Sequence, residues 1–247
     1  MEISKDKLFV KEYFLAAGEC NAESEMPLTL LANRLIEIAT LHANYWNVGY
    51  KRLQEENRGW VLSRMAIEMK RYPRINETYR ISTWVESYNR HFSERNMEIT
   101  DEDGNVLGYA RTIWMVIDFT TRESCNLAEL EYIQKNTYDK ECPIERQGRI
   151  KKLTPERQSH YTFAYSDIDF NRHVNSVRYI SLFLNQWEME HHDHFRIARF
   201  EIAYTKEAYI GESVTISTEE TETEAHLEIA SEQTSHCKAR IVFEKRQ

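Results

Sequence analysis

The densest group of polar side chains lies in one short stretch, residues 165–175, between a predicted strand and a predicted helix. Alternation along this stretch places Asp167, Asp169, Asn171 and His173 on one side. A carboxylate, an amide and an imidazole can then converge where a helix begins and presents its unpaired N–H groups. Such groups activate a water molecule and stabilise an oxyanion. Capping and turn formation is the structural alternative for any single Asp or Asn, but the four residues together favour catalysis.

The helix that follows this stretch is one of two that the sequence predicts. Apolar residues recur at spacings of three and four over 27–46 and again over 175–190. Pro27 suits a first helical turn, and Asn175 suits an N-cap. After each helix come four runs rich in β-branched and aromatic residues, which predict strands. These runs are 61–69, 78–86, 92–100 and 106–119, and then 197–204, 213–218, 225–230 and 237–243.

The second half of the chain repeats the first at an offset of 135 residues. The identities at this offset are Arg64 with Arg199, Ile67 with Ile202, Glu77 with Glu212, and Ile-Ser-Thr at both 81–83 and 216–218. Coincidence among common strand residues is the alternative, but duplication explains them better. We therefore predict two tandem units, 1–135 and 156–247, joined by a polar, charged linker at 136–155. Each unit would wrap an antiparallel sheet around one long central helix, which is an α+β double hot-dog fold.

Composition excludes several classes of protein. The 247 residues include 32 Lys and Arg against 40 Asp and Glu, and the net charge of −8 does not favour nucleic-acid binding. No apolar stretch approaches the roughly 20 residues that cross a bilayer, and the charged first residues do not resemble a signal peptide. We expect a cytoplasmic protein without stable membrane insertion, and we leave a homodimer open. The scattered cysteines and the histidines of 190–194 form no complete ligand set, so we expect no metal and no cofactor.

One resemblance is specific. Residues 166–175, Ser-Asp-Ile-Asp-Phe-Asn-Arg-His-Val-Asn, together with Tyr179 resemble the signature of acyl-acyl-carrier-protein thioesterases, double hot-dog enzymes of plant plastids and bacteria. The resemblance covers the whole chain, including Trp-Val-Leu-Ser-Arg at 60–64 and Tyr-Thr-Lys-Glu-Ala at 204–208. It implies hydrolysis of fatty acyl-acyl carrier protein to free fatty acid and carrier in fatty acid biosynthesis. It also implies that the first unit holds the acyl chain and the second unit carries the catalytic residues.

The resemblance assigns the catalytic string to Asp169, Asn171 and His173, and a downstream acid to Glu207 in the strand after the second helix. The next position is Ala208, where many plant members have cysteine, so a thiolate nucleophile is excluded there. Two mechanisms stay open: attack by a water molecule that a carboxylate activates, or direct attack by a carboxylate to form an anhydride.

We favour the water mechanism, with Glu207 as the general base. Asn171 and His173 would position the water and the thioester, and Asp169 would fix the constellation. Backbone N–H groups at the start of the second helix would polarise the carbonyl, and the candidates for this oxyanion role are Val174 and Asn175.

Two weaker predictions concern the substrate. The acyl chain needs an apolar slot, for which the candidates are Leu31, Leu35, Trp60 and Leu62. Segment 51–80 contains eight basic residues against four acids, so it can receive an acidic acyl carrier protein. The docking candidates are Lys70, Arg71 and Arg74, and a solvated face without a partner is the alternative.

Three other functions compete with this interpretation. A thioesterase of the same fold can act on coenzyme A thioesters, a dehydratase of this fold also combines histidine with a carboxylate, and an acyl-binding protein needs no catalysis. The complete set of Asp169, Asn171, His173 and Glu207 argues against the non-catalytic alternative.

Overall fold

The computed structural model describes residues 7–130, 136–151 and 153–246. The chain forms two compact units that divide between Arg146 and Gln147, a point inside the segment that we predict as a linker. The predicted end of the first unit at residue 135, and Lys152 of the predicted linker, lie outside the described residues. No helix in the described ranges is long and apolar enough to cross a membrane.

The first unit contains five antiparallel strands and a long helix. The strands are β1 (Phe9–Phe14), β2 (Arg58–Met69), β3 (Thr78–Tyr88), β4 (Ser93–Asp101) and β5 (Val106–Asp118). They pair in the order β1-β3-β4-β5-β2. Helix α1 (Leu28–Tyr45) lies between β1 and β2 along the chain, and the short helix α2 (Tyr50–Glu55) follows it.

Helix α1 forms where the apolar periodicity predicts it, one residue inside each predicted limit. Leu31, Leu35 and Ile38 are fully buried at spacings of four and three, so one face of the helix is apolar. This helix contacts β1 and β3. It therefore covers the inner face of the first sheet.

The second unit has the same composition of elements. Its strands are β6 (Arg157–Thr162), β7 (Phe195–Tyr204), β8 (Ser213–Glu220), β9 (Glu224–Ala230) and β10 (Ser235–Lys245). They pair in the order β7-β10-β9-β8-β6, and all pairs are antiparallel. Because each unit combines a central helix with a five-stranded antiparallel sheet, the predicted α+β double hot-dog fold is confirmed.

The second helix is shorter than its periodicity predicts. Helix α3 (Ser176–Leu184) begins at the predicted N-cap, where the Asn175 side-chain oxygen accepts the Val177 N–H at 2.9 Å. It ends six residues before the predicted limit of 190. Arg157 binds the main-chain carbonyl of Gln186, and the Trp187 indole donates to Glu220 at 2.7 Å. These contacts hold the following residues outside the helix.

A separate short helix, α4 (Met189–His194), follows the break. The charged sequence of 190–194 is typical of a solvated helix end. His191 instead packs against the rings of Trp187, Phe195 and Phe243, with ring centroids 4.7–5.5 Å apart. Burial lowers the pKa of His191, so this imidazole behaves as part of an aromatic cluster.

An ionic clasp covers the outer face of the first sheet, and we define it by Glu86, Glu94, Arg111 and Arg146. Arg111 is buried and pairs with Glu86 at 2.8 Å and Glu94 at 3.1 Å. Its guanidinium also donates to the main-chain carbonyls of Cys142 and Ile144 at 2.6 and 2.9 Å. Residues 138–146 therefore belong to the first unit, although the sequence predicts that they are part of a linker.

The clasp should contribute strongly to stability. We expect Arg111→Met to lower the free energy of unfolding by about 3–5 kcal/mol, because among the described residues it leaves the exposed Arg146 as the ion-pair partner of Glu86 and Glu94. The matched control is Arg80→Met, which breaks an exposed ion pair with Glu12 and should cost about 1 kcal/mol or less. Urea denaturation measures both variants, and equal losses would contradict the assigned role of the clasp.

Candidate active site

The chain reaches the polar stretch through a single helical turn at Tyr165–Asp167. Asp167 is fully buried in this turn and accepts three hydrogen bonds. Its donors are the Ala164 N–H at 2.8 Å, the Tyr161 hydroxyl at 3.0 Å and the Arg178 guanidinium at 2.7 Å. Our expectation that Asp167 faces the same side as the other polar residues is therefore wrong. Its carboxylate anchors the turn to helix α3.

Residues 168–174 form a closed loop, which we call the catalytic loop. Ile168 and Val174 make an antiparallel bridge at its base. Inside it, the Asp169 N–H donates to the His173 carbonyl at 2.9 Å, and an Asp169 carboxylate oxygen accepts the Asn171 N–H at 2.8 Å. The Asp169 carboxylate thus shapes the loop, and the Asn171 side chain lies exposed at the tip.

Glu207 lies in a second loop, at 205–212, which we call the acid loop. The sequence places Glu207 in a strand, but β7 ends at Tyr204. The Val174 N–H donates to the Ala208 carbonyl at 2.9 Å and joins the two loops. As a result, the His173 Nε2 lies 3.3 Å from a Glu207 carboxylate oxygen, and both side chains are partly buried. Residues 34 positions apart in the sequence thus form a histidine–carboxylate contact.

Tyr209 also contacts this pair, and sequence reasoning missed it. Its ring meets the His173 ring edge-on, with centroids 5.1 Å apart. Its hydroxyl lies 3.5 Å from the Glu207 carboxylate. A tyrosine two residues after a candidate acid is the only signal in the sequence, and it becomes informative once the loops are known to meet.

The predicted oxyanion role of Val174 and Asn175 is wrong. The Val174 N–H donates to Ala208, and the Asn175 N–H donates to the Asp167 carbonyl at 2.8 Å. A backbone N–H that already donates within the chain is not available to a thioester oxygen. The sequence could not reveal these bonds, because one of them depends on the acid loop.

The predicted acyl-binding residues lie in the first unit and have two environments. Leu31 and Leu35 are fully buried on helix α1, whereas Trp60 and Leu62 on β2 are partly buried. The Trp60 indole donates to the Val48 carbonyl at 2.9 Å. Their role in binding an acyl chain stays a prediction.

The structure weakens the electrostatic argument for the docking residues. Arg71 pairs with Glu77 at 2.7 Å and Asp101 at 3.5 Å, and Arg74 lies 3.9 Å from Glu25. Arg80 of the same segment pairs with Glu12. Three acids from outside segment 51–80 thus offset most of the excess of basic over acidic residues in that segment. Lys70 stays exposed.

The first unit contains the same loop framework with other side chains. The Asn21 N–H donates to the Glu25 carbonyl at 2.9 Å, as the Asp169 N–H does to the His173 carbonyl. The bond between the catalytic and acid loops also has a counterpart at 2.8 Å, from the Met26 N–H to the Pro73 carbonyl. The candidate site residues differ between the units: the first has Asn21, Glu25 and Tyr72 where the second has Asp169, His173 and Glu207.

Two family models match nearly the whole chain. The acyl-ACP thioesterase N-terminal domain matches residues 6–135, and the acyl-ACP thioesterase C-terminal domain matches residues 150–245. The chain belongs to the acyl-ACP thioesterase family. The C-terminal domain model spans both the catalytic loop and the acid loop.

Similar solved structures and similar curated sequences support this family assignment. The crystal structure of an acyl-ACP thioesterase from Bacteroides thetaiotaomicron is 35% identical, with a TM-score of 0.89, covering 97% of this chain and 98% of that one. The 12:0-ACP thioesterase from Umbellularia californica shares the fold at 16% identity, with a TM-score of 0.84 and coverage of 97% and 98%. A palmitoyl-acyl carrier protein thioesterase of Gossypium hirsutum is 24% identical over 81% of this chain and 52% of its own length. The chain thus spans about half the length of the curated relatives that it matches.

Three of the four thiols should be poor nucleophiles in the folded protein. Burial raises the pKa values of Cys125 and Cys142, and it raises the pKa of Cys237 furthest. A raised pKa leaves less thiolate at a given pH, so iodoacetamide at pH 8 should label partly exposed Cys20 well before Cys237. Peptide mass spectrometry measures the order, and protein unfolded in urea is the control in which all four thiols should react. Early labelling of Cys237 would contradict its assigned burial.

Proposed function

We propose that the chain hydrolyses fatty acyl-acyl carrier protein to a free fatty acid and the carrier, as a step of fatty acid biosynthesis. One observation carries the proposal: the 3.3 Å contact between His173 and Glu207 in the unit that matches the family's C-terminal domain. The same loop framework in the first unit lacks both residues, so the framework alone does not explain them. The relatives of the chain include enzymes named for palmitoyl and 12:0 carrier-protein thioesters.

In the proposed step, Glu207 removes a proton from a water molecule while the oxygen of that water attacks the thioester carbon. The carbon–sulfur bond breaks, and the carrier thiolate leaves and takes up the proton that Glu207 removed from the water. His173, held between Glu207 and the Tyr209 ring, positions the water against the thioester. Asp169 acts indirectly, because its carboxylate fixes the backbone of Asn171.

The carbonyl oxygen needs a donor other than the two backbone groups that the sequence suggested. The Asn171 side-chain amide is exposed at the tip of the catalytic loop and carries two N–H donors. We assign it to the thioester oxygen, where the negative charge develops in the transition state.

Substitution at the acid–base pair tests the proposal. Glu207→Gln keeps the shape of the side chain and removes the base, so we expect kcat to fall about 10²- to 10⁴-fold with little loss of stability. Glu232→Gln, a change at an exposed residue of the same unit, is the matched control. Release of free fatty acid from acyl carrier protein, measured by mass spectrometry, gives the rates. Parent-like turnover in folded Glu207→Gln would remove Glu207 as the base.

A second test concerns the carrier. If the carrier docks on Lys70, Arg71 and Arg74, the double variant Lys70→Glu, Arg74→Glu should raise the KM for acyl carrier protein more than that for the matching coenzyme A thioester. The effect should weaken with added salt, since the Debye length is about 10 Å at 0.1 M. Arg71 is left intact because it pairs with Glu77. The control is Lys245→Glu, at an exposed end of β10, and equal effects on both substrates would place the docking face elsewhere.

A further inference from the structure

His236, near the start of β10, is a buried histidine that the proposed mechanism does not use. Only 2% of its surface is exposed. Its Nδ1 lies 3.1 Å from the Glu207 carbonyl and 3.3 Å from the Lys206 carbonyl. Its Nε2 lies 3.0 Å from a Glu212 carboxylate oxygen and 3.2 Å from the Ser231 hydroxyl. Both ring nitrogens therefore contact the acid loop.

The partners of His236 hold its ring between two parts of the acid loop. The Lys206 and Glu207 carbonyls only accept hydrogen bonds, so the ring nitrogen that faces them is placed to donate an N–H. The other ring nitrogen faces the Glu212 carboxylate and the Ser231 hydroxyl. The ring therefore links the Glu207 main chain to the Glu212 side chain.

Other bonds hold the acid loop on the same frame. The Thr205 and Lys206 N–H groups donate to the His236 carbonyl at 2.8 and 3.2 Å. The second carboxylate oxygen of Glu212 accepts the Tyr209 N–H at 3.1 Å. The main chain on both sides of Glu207 is thus fixed by His236 and Glu212, which we call the acid-loop clamp.

The first unit shows that the fold does not need this histidine. There, the Lys70 and Arg71 N–H groups donate to the carbonyl of Leu107 at 2.8 and 3.4 Å, so Leu107 occupies the position of His236. Leu107 is equally buried, at 2% exposure. The glutamate of the clamp is retained, because Glu77 accepts the Arg74 N–H at 3.0 Å. The histidine is present only in the unit that carries the acid.

We propose that His236 is a positioning residue that holds Glu207 against His173, through the main chain of the acid loop and through Glu212. This inference rests on the proposed function of Glu207. It adds a residue outside the catalytic loop, on a different strand, to the machinery of thioester hydrolysis.

His236→Leu tests the proposal, because it introduces the residue that the first unit already accommodates. We expect a folded variant whose kcat falls about 10²-fold while the KM is unchanged, since a misplacement of about 1 Å at a reacting group has an effect of this size. His236→Asn keeps an N–H donor towards the carbonyls and should recover part of the lost kcat. His226→Leu, which removes another histidine–glutamate contact of this unit, is the matched control and should keep parent kcat.

The Glu207→Gln background separates positioning from a general effect on folding. If His236 acts through Glu207, adding His236→Leu to Glu207→Gln should lower kcat no further. A full additional loss in that background, or parent-like kcat in folded His236→Leu, would overturn the proposal. A parent enzyme that does not hydrolyse acyl carrier protein would instead refute the proposed function.

Discussion

One backbone hydrogen bond, from the Val174 N–H to the Ala208 carbonyl at 2.9 Å, joins the two loops on which the site depends. The catalytic loop is closed on itself by its Asp169 and His173 backbone contact, and the acid loop is fixed separately by His236 and Glu212. Each loop therefore has its own internal contacts, apart from the bond that joins the two. This bond sets their separation, and the 3.3 Å contact between His173 and Glu207 follows from it.

The internal repeat separates what the fold requires from what the chemistry requires. Both units keep the bond that closes the first loop and the bond that joins the two loops. Both also keep a glutamate, Glu77 or Glu212, whose carboxylate accepts the backbone N–H of the residue three positions earlier. A carboxylate also pairs with a helix arginine in each unit: partly buried Glu19 with Arg34, and fully buried Asp167 with Arg178. Only the second unit has histidines at 173 and 236 and an acid at 207. Residues shared by the units are explained by folding, and residues found in one unit point to function.

The sequence predicts the elements well, because local periodicity and capping determine them. The limits of helix α1, the N-cap at Asn175 and the four strands that follow the main helix of each unit all agree with local patterns. The break after Leu184 was not predictable, because it depends on Arg157, a residue of a distant strand.

The site was predictable only in part, for the same reason. The string from Asp169 to His173 is contiguous, so the family signature identifies it. The Val174 N–H is occupied by the distant acid loop, where Glu207 also lies. Asp167 and the Asn175 N–H are held by residues nearby in the chain, through turn and side-chain contacts that simple alternation does not reveal. The neutralisation of the predicted docking charges depends on distant contacts, since Glu12, Glu25 and Asp101 lie outside the basic segment.

The central claim is that His173 and Glu207 act on the thioester together, each needing the other. The most direct measurement compares kcat/KM of the double variant His173→Asn, Glu207→Gln with that of each single variant, on the same acyl carrier protein. Groups that act together give strongly non-additive losses. The account predicts that kcat/KM of the double variant equals that of the less active single variant. A loss equal to the product of the single losses would show that the two residues act independently and would contradict it.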